Sequence, residues 1–409
     1  MPVFLRREGK SQMDTEKKLR LLFASAEYDV CSPTSSSSSS SPPPILRAHT
    51  APIPIIPGVY YAKTSTGKIV PLFKVLFTNE CTYNCNYCIN RKDRSATPRA
   101  VFTPEELAKV FYNLYRKNIV KGLFLSSAIG DNARKTMEKM IITCEILRKK
   151  YHFDGYIHLK ILPGAGNAEI EEAINLSDRV SINMEAPTQG HLSMLSPDKR
   201  FNMLLATLET IANILKNTKR RLYKNTTLST QLIVGAANES DKEILAAAYL
   251  WRKKYNLRRV YFSAFVPIPK TPFENLPKVP LLREHRLYQV DWLFTFYNFT
   301  IEDIIFDKDG NLPVDKDPKL LWAENNPHLF PIEINTAQYE ELLRVPGIGP
   351  LSAKKIVEYR RVSKFSNLSE LKSMGVVVKR AFKFITLNGR LVTSLDEENC
   401  LQELLPFNL

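Results

Sequence analysis

Cysteine is scarce in this sequence, with six residues in a chain of 409. That number excludes a disulfide-dense scaffold, and a chain of this length can bury a hydrophobic core without such cross-links. Three of the six cysteines nevertheless fall within eight residues, at Cys81, Cys85 and Cys88. Clustering of this kind indicates a metal site in a reducing compartment.

Long apolar runs are missing as well. No stretch approaches the roughly 18 consecutive apolar residues that a membrane-spanning helix needs. The N-terminal sequence MPVFLRREGKSQMDTEKKLRLLF lacks the apolar centre and the small-residue cleavage site of a secretory signal. We therefore expect a soluble, cytoplasmic protein that has no membrane partner.

Acidic residues are outnumbered by basic ones. The chain has 57 Lys and Arg against 42 Asp and Glu, which gives a net charge of +15 and a pI of about 9.4. This balance favours polyanionic partners, above all nucleic acid. A solvated basic surface is the alternative explanation.

Residues 1–60 are expected to be mostly disordered. A short amphipathic helix is predicted at 14–27, and a tract of seven serines followed by three prolines occupies 35–44. Such a composition cannot bury enough apolar surface to fold by itself, so it is typical of a linker.

From about residue 65 to 300 the pattern is that of an α/β domain. Helix starts are predicted at Thr103–Glu106 and Ser240–Glu243, and a weaker one at Ser196–Asp198. Six strands alternating with helices predict a parallel sheet, and six units favour a partial, TIM-like (β/α)6 barrel. A flat doubly wound sheet is the alternative. The strands are predicted at LFKVLFT (72–78), GLFLSS (122–127), GYIHLKIL (155–162), RVSINME (179–185), TLSTQLIV (227–234) and RRVYFSAF (258–265).

The cysteine cluster directly follows the first of these strands. Thiolates at positions i, i+4 and i+7 of a tight loop can bind three irons of one [4Fe–4S] cubane, which leaves the fourth iron open for a cosubstrate. A loop after a barrel strand is also where such folds place their chemistry. The alternatives are a zinc site with a distant fourth ligand and three structural thiols.

Four of the later strands carry polar residues on one face. Side chains two residues apart share a face of a strand, and an ordinary barrel interior is filled with Val, Ile and Leu. Polar interiors therefore predict a ligand-filled cavity, unless the register of individual strands is inverted. The polar residues are His158 and Lys160; Ser181, Asn183 and Glu185; Ser229 and Gln231; and Tyr261 and Ser263.

A separate all-α module is predicted at 331–395, after a connecting segment at 301–330. Helices at 336–345 and 350–361 flank the turn Pro346–Gly349, which resembles a helix-hairpin-helix motif. In that motif glycines such as Gly347 and Gly349 let backbone N–H groups approach a phosphate. Residues Lys354, Lys355 and Arg360 add positive charge, and 365–385 resembles a degenerate second copy. A hairpin used only for packing is the alternative.

The cysteine loop resembles the signature of the radical S-adenosylmethionine (SAM) superfamily. That signature has three cysteines spaced C-x3-C-x2-C and an aromatic residue before the last, here Tyr87. The resemblance implies a [4Fe–4S] cluster that reductively cleaves S-adenosylmethionine, with ferredoxin or flavodoxin as an electron donor. It also implies cofactor contacts from Ser126 and Ser127, where the family often has Gly-Gly-Glu, and from Asn183 and Glu185, which end the fourth strand. Lys160 and Gln231, on the polar faces of the third and fifth strands, are further candidates for cofactor contacts. Gly235–Ala236 resembles the turn that approaches adenine.

Residues from about 70 to 390 together resemble a family of radical SAM proteins associated with DNA modification or repair. Its hallmark is a radical SAM domain followed by a C-terminal helix-hairpin-helix. The resemblance implies an enzyme that acts on a base or sugar of DNA, without identifying the residue that acts on the substrate. An RNA-modifying radical SAM enzyme and a non-catalytic Fe–S sensor that binds DNA are the alternatives.

Overall fold

The structure, a computed structural model, describes residues 14–27, 58–63, 69–95, 97–217 and 226–392. Most of the predicted Ser/Pro-rich segment lies outside these ranges, although its helix at 14–27 is confirmed. The chain divides into two compact units: residues 1–239 with 250–281, and residues 240–249 with 282–409. Residues 282–300 thus belong to the second unit, whereas the sequence suggested that the first domain extends to residue 300.

Seven strands form one sheet in the first unit, in the sequential order β1 to β7. Strands β2 to β7 are parallel and confirm the six predicted strands, while the antiparallel β1 was not predicted. A doubly wound sheet reverses its strand order part-way, so this sequential order identifies the partial barrel. The strands are β1 Val59–Lys63, β2 Ile69–Leu76, β3 Gly122–Ser126, β4 Tyr156–Lys160, β5 Arg179–Ser181, β6 Thr227–Val234 and β7 Arg259–Ala264.

Helices connect these strands and begin where the local sequence can cap them. Thr103 forms a capping box with Glu106, and Ser240 exchanges hydrogen bonds with Glu243 in the same way. Each such cap stabilises its helix by about 1 kcal/mol. The helices are α1 Thr15–Glu27, α2 Pro104–Arg116, α3 Ala133–Glu145, α4 Asn167–Leu176, α5 Gln189–Leu195, α6 Phe201–Asn217 and α7 Asp241–Tyr255.

The two faces of the sheet differ in chemistry. Leu123, Leu125, Ile157 and Leu159 have no solvent exposure, and burial of each such side chain contributes about 1.5–3 kcal/mol. The alternate residues of these strands, such as Phe124 and the polar residues predicted to line the barrel, lie on the opposite face. The apolar face thus forms the core, and the other face is available for a site.

The predicted helix start at Ser196–Asp198 is wrong. Ser196 is instead the C-terminal cap of α5, and α6 begins only at Phe201. The polar side chains of this segment contact the cysteine loop, as described below, and therefore do not cap a helix.

The second unit contains the predicted pair of helices, further helices and a small sheet. The module is not purely α-helical, because three short strands form a sheet in the order β10-β9-β8. Its elements are α8 Leu281–Phe296, α9 Pro318–Asn325, β8 Ile332–Glu333, α10 Tyr339–Arg344, α11 Pro350–Tyr359, α12 Leu368–Ser373, α13 Val378–Ala381, β9 Ile385–Leu387 and β10 Arg390–Leu391.

Two helical hairpins, α10–α11 and α12–α13, pack against each other around one apolar core. Leu342, Ile348, Ile356 and Leu371 are among its fully or almost fully buried members. The second hairpin was predicted as a degenerate copy, and its turn at Gly375 has φ +88°, close to the +87° of Gly347. Both glycines adopt a left-handed conformation that L-residues disfavour.

No helix among the described residues has the length and apolar character needed to span a membrane.

Candidate active site and nucleic-acid interface

The three clustered cysteines lie on the loop that leaves β2 at the carboxyl end of the parallel sheet. All three are free thiols. Backbone N–H groups donate to two of the sulfurs: Tyr83 to Cys81 Sγ at 3.5 Å and Asn90 to Cys88 Sγ at 3.3 Å. The backbone of the loop thus donates hydrogen bonds to the first and the last of the three sulfurs.

Arg99 holds the two ends of the cysteine loop together. Its guanidinium donates to the carbonyl of Asn79, which precedes the first cysteine, at 2.5 Å. It also donates to the carbonyls of Asn90, Arg91 and Arg94, which follow the last cysteine, at 2.9, 2.6 and 3.4 Å. One side chain therefore closes the loop, as the planar array of guanidinium donors allows.

The segment 194–199 packs along the same loop. Asn86 donates from its backbone to the carbonyl of Leu195 at 2.8 Å, and Asp198 accepts from the backbone N–H of Asn84. The Ser196 hydroxyl lies 3.0 Å from Cys85 Sγ. These contacts explain why Ser196 and Asp198 do not cap α6.

A buried ion pair adjoins the cysteines. Lys199 Nζ lies 2.8 Å from Glu185 Oε1, and the two side chains are 10% and 5% exposed. Glu185 also accepts a hydrogen bond from Tyr87. It has φ +63°, a strained conformation for a non-glycine residue that is common at functional sites.

The polar strand faces meet in the barrel interior, as predicted. His158 Nε2 forms a hydrogen bond with Ser181 Oγ at 2.8 Å. The Asn183 amide donates to Gln231 Oε1 at 3.4 Å. Arg179 donates to the Tyr261 hydroxyl at 2.9 Å. The Glu185 backbone N–H also donates to the backbone carbonyl of Gln231 at 3.0 Å, so Tyr87, Asn183, Glu185 and Gln231 are neighbours.

Two buried polar atoms on this face have no hydrogen-bond partner: Asn183 Oδ1 and Ser229 Oγ. A buried unsatisfied polar atom costs about 1–3 kcal/mol, so each one in a native structure requires an explanation. A ligand that donates to Asn183 and hydrogen-bonds to Ser229 would provide it.

Three predicted cofactor residues lie in different surroundings. Ser126 is buried at the end of β3, opposite Leu76 of β2. Ser127 follows it and donates to the carbonyl of Ala128 at 2.7 Å. Lys160 lies deeper in the barrel, with Nζ 6.0 Å from the centre of the Phe124 ring. Ser126 and Ser127 thus adjoin the cysteine loop.

The turn after β6 is held by a carboxylate. Glu239 accepts hydrogen bonds from the backbone N–H groups of Gly235 and, at 2.9 Å, Ala237. Gly235 has φ +83°, so the turn requires its conformational freedom. Glu239 therefore fixes the Gly235–Ala236 turn.

The two predicted glycines of the α10–α11 turn have different surroundings. A Cβ at Gly347 would lie 2.5 Å from the carbonyl oxygen of Val377, whereas one at Gly349 would lie 3.4 Å from its nearest neighbour. Gly347 is therefore required for packing of the two hairpins. Gly349 is the N-cap of α11 and has no side-chain cap, which leaves the helix terminus able to bind an anion.

The predicted basic residues Lys354, Lys355 and Arg360 differ in their exposure and in their hydrogen-bond partners. Lys354 and Lys355 are exposed, and Lys354 lies 3.9 Å from Glu358 in a weak surface pair. Arg360 donates to the carbonyl of Ile334 at 2.8 Å. Arg360 thus connects parts of the module through one guanidinium nitrogen, while Lys354 and Lys355 are the exposed cations of α11.

Two protein-family models match this chain. Residues 75–248 match the family model of the radical SAM superfamily, which includes the cysteine loop and the barrel group. The chain contains a radical SAM domain. Residues 331–385 match the helix-hairpin-helix motif, and a search of curated proteins found no match.

The chain is similar to several solved structures at low sequence identity. Methylornithine synthase is 13% identical with a TM-score of 0.44, covering 54% of this chain and 60% of that one. The FeFe-hydrogenase maturase HydG from Carboxydothermus hydrogenoformans is 15% identical with a TM-score of 0.41, covering 52% and 48%. The methyltransferase TsrM from Kitasatospora setae is 12% identical with a TM-score of 0.38, covering 52% and 48%. This chain thus spans about half to three-fifths of their length.

Enzymes of the radical SAM superfamily, whose model matches residues 75–248, use a [4Fe–4S] cluster and S-adenosylmethionine. The residues present fit both groups. Within the described ranges no three His, Cys, Asp or Glu side chains converge on one metal ion, but a cubane binds each thiolate through a different iron and needs no such convergence. The unpartnered atoms of Asn183 and Ser229 provide polar contacts for a ligand.

Burial strongly affects the ionisable groups of the radical SAM domain. It raises the pKa of the Cys85 thiol and, together with the charge of Cys85, that of Cys88 to about 12. A bound metal reverses this effect, because a coordinating thiol is deprotonated. Burial alone would lower the pKa of Lys199, but Glu185 and the nearby sulfurs raise it overall, so Lys199 is a permanent cation.

Sequence reasoning missed four residues of this site: Arg99, Ser196, Lys199 and Glu239. Ser196 and Lys199 lie in a short polar run after α5, which the sequence pattern assigned to a helix cap. The carboxylate of Glu239, four residues after Gly235, is a signal that could have been recognised, since Asp and Glu often bind the N–H groups of a preceding turn. Arg99 carries no local signal.

Proposed function

We propose that this chain is a radical SAM enzyme that acts on DNA, modifying or repairing a base or sugar. The observation that carries the proposal is the presence in one chain of two sites: the cysteine loop beside a polar barrel interior, and a hairpin turn whose following helix has an uncapped N-terminus. The first provides radical chemistry, and the second provides a means of holding a phosphate backbone.

Cys81, Cys85 and Cys88 are the proposed cluster ligands, and Arg99 and segment 194–199 hold their loop in place. When bound, the cluster and S-adenosylmethionine supply the electron and the radical that remove hydrogen from the substrate. Reduced ferredoxin or flavodoxin is the proposed electron donor.

The proposed S-adenosylmethionine contacts come from the group around Glu185. Asn183 and Ser229 have unpartnered atoms for a polar ligand, and Gln231 lies next to Asn183. The Glu185–Lys199 pair offers both a carboxylate and an ammonium beside the cysteines. A ribose and an amino acid moiety need acceptors and donors of these kinds.

Replacement of Asn183 by leucine tests this assignment. The Asn183→Leu variant removes a buried acceptor that has no partner and also the long amide contact with Gln231, so we expect the protein without cofactor to unfold at a similar temperature. We expect its affinity for S-adenosylmethionine to fall about tenfold, since a hydrogen bond to a buried group is lost. Equilibrium dialysis against the reconstituted protein and a thermal melt measure the two effects. Unchanged affinity would remove Asn183 from the proposed contacts.

The hairpin α10–α11 is the proposed DNA contact. The N-terminus of α11 and its exposed Lys354 and Lys355 can bind phosphates, and contacts of this kind do not read sequence. A target nucleotide inside a duplex would have to be extruded to reach the barrel, as in other enzymes that act on bases.

Gly349→Ala is the sharpest test of the phosphate contact. Gly349 has φ −100°, which alanine can adopt, and the added Cβ would make only an ordinary contact with Tyr297 at 3.4 Å. We therefore expect a stability loss of no more than about 1 kcal/mol but about tenfold weaker DNA binding, because the methyl group crowds the N–H donor. Fluorescence anisotropy with a labelled duplex measures it. Gly389→Ala is the control, because its Cβ would meet no atom within 4 Å. If Gly389→Ala lost as much DNA affinity as Gly349→Ala, crowding of the Gly349 N–H would not be the cause.

Competition binding decides the class of nucleic acid. The full-length protein is mixed with a labelled DNA duplex, and unlabelled duplex DNA, single-stranded DNA and RNA are compared as competitors at several salt concentrations. We expect duplex DNA to compete best and affinity to fall with salt, since the contacts neutralise phosphates. Preferred competition by RNA would favour an RNA-modifying enzyme.

A further inference from the structure

A buried lysine lies directly behind the hairpin turn. Lys319, in α9, is 8% exposed, and its ammonium donates to the carbonyl oxygen of Ile348, in the centre of the turn, at 2.7 Å. The same Nζ lies 4.4 Å from the centre of the Tyr297 ring. Lysine is almost never buried unless its charge has partners. The carbonyl of Ile348 and the ring of Tyr297 are therefore the contacts that hold this ammonium in place.

The bond fixes the orientation of one peptide group. The carbonyl of Ile348 and the N–H of Gly349 belong to the same planar trans peptide, in which the two groups point in opposite directions. An ammonium on the carbonyl side therefore leaves the Gly349 N–H pointing away from Lys319. Because Pro350 has no N–H, Gly349 is an important donor of the first turn of α11.

We infer that Lys319 is a positioning residue for the phosphate site of the hairpin, a role that rests on the proposed nucleic-acid function. Its ammonium orients and polarises the Ile348–Gly349 peptide, so that the Gly349 N–H is presented to a phosphate oxygen. Its charge, held in a low-dielectric position behind the turn, also attracts the anion without touching it.

The charged neighbours of Lys319 make this charge responsive to pH. Burial lowers the pKa of Lys319 to about 7, Asp317 raises it, and Arg380 and Arg344 lower it. Asp317 is itself paired with Arg380 at 3.0 Å, and Arg344 with Asp303 at 3.2 Å. A phosphate bound at the turn adds negative charge and favours the ammonium.

Stability and affinity should therefore respond to pH in opposite directions. Above a pH of about 7 folded Lys319 has lost its proton, whereas Lys319 in the unfolded chain keeps it. The free energy of unfolding therefore increases with pH, until the pH reaches the pKa that Lys319 has in the unfolded chain. DNA affinity falls over the same range as the ammonium loses its charge. A purely structural role for Lys319 would not produce a fall in affinity together with a rise in stability.

The test compares full-length Lys319→Met with wild type and with Lys316→Met, which removes an exposed charge paired with Glu324. Duplex affinity is measured against salt concentration and from about pH 6 to about pH 9. We expect Lys319→Met to bind about tenfold more weakly at the lower pH, with an unchanged salt slope because it contacts no phosphate, and to lose most of the pH dependence. Lys316→Met should resemble wild type, and Lys355→Ala should reduce the salt slope by about 1.

Several outcomes would overturn the inference. Wild-type affinity in Lys319→Met, or a salt slope reduced as in Lys355→Ala, refutes the positioning role while leaving the proposed function intact. Wild-type protein that binds neither DNA nor RNA refutes the proposed function and this role with it. If Lys319→Met does not fold, the pH profile of the wild type decides: an affinity independent of pH contradicts the inference.

Discussion

The Cys85→Ala variant is expected to form no 5′-deoxyadenosine and to lose the visible absorbance of the cluster. Cys85 is the middle residue of the cysteine loop, and its sulfur is the one that the Ser196 hydroxyl contacts. Two remaining thiols cannot hold a cubane that uses three. Iron and sulfide content after anaerobic reconstitution, together with product formation in dithionite, measures the loss.

Cys144→Ala is the matched control for this variant. Cys144 is also a buried free thiol, but it lies in α3, away from the cysteine loop. We expect it to keep its cluster and its activity. We also expect DNA affinity of Cys85→Ala to stay within about threefold of wild type, since the residues proposed to contact DNA lie in the other unit. Joint loss of cluster and DNA binding would contradict the assignment of the two functions to separate sites.

The Gly347→Ala variant is expected to destabilise the hairpin module strongly. Its φ of +87° costs an L-residue about 1–2 kcal/mol, and the added Cβ would lie 2.5 Å from the Val377 carbonyl oxygen. Backbone on both sides of this contact must shift. We expect the unfolding temperature of the module to fall by about 10 °C or more, DNA affinity to fall with it, and cluster content to remain unchanged. Gly347→Val should have a larger effect in the same direction.

Gly389→Ala distinguishes the cost of a positive φ from the cost of a steric clash of the added Cβ. Gly389 also has a positive φ, +75°, but an added Cβ there would meet no atom within 4 Å. It should therefore show only the conformational cost of about 1–2 kcal/mol. Hydrogen exchange of residues 339–385 in the full-length protein reports the stability of the module. If both variants lower protection equally, packing of the two hairpins at Gly347 is not the reason for this glycine.

Local patterns predicted the elements that have strong local causes. The six parallel strands were predicted because each contains buried apolar residues in a short segment of sequence, and α2 because Thr103 and Glu106 cap it. Strand β1 was missed because VYYAK is short and lies at the edge of the sheet, before the regular pattern begins. The small sheet β8–β10 was missed for the same reason, since its strands have two or three residues.

Chemical roles were harder to predict where a residue acts through tertiary contacts. The spacing of Cys81, Cys85 and Cys88 is local and visible. The closure of their loop by Arg99 and the contact with Ser196 depend on chain segments that only folding brings together. In the hairpin, the hydrogen bond from Arg360 to the Ile334 carbonyl likewise joins segments that are distant in sequence. Lys319 carries no sequence signal at all.

Formation of 5′-deoxyadenosine by anaerobically reconstituted, reduced wild-type protein, with and without duplex DNA, tests the central claim most directly. The account predicts product that depends on Cys85 and increases when DNA is added. An intact cluster that forms no product under either condition would contradict it and would favour a non-catalytic Fe–S sensor that binds DNA.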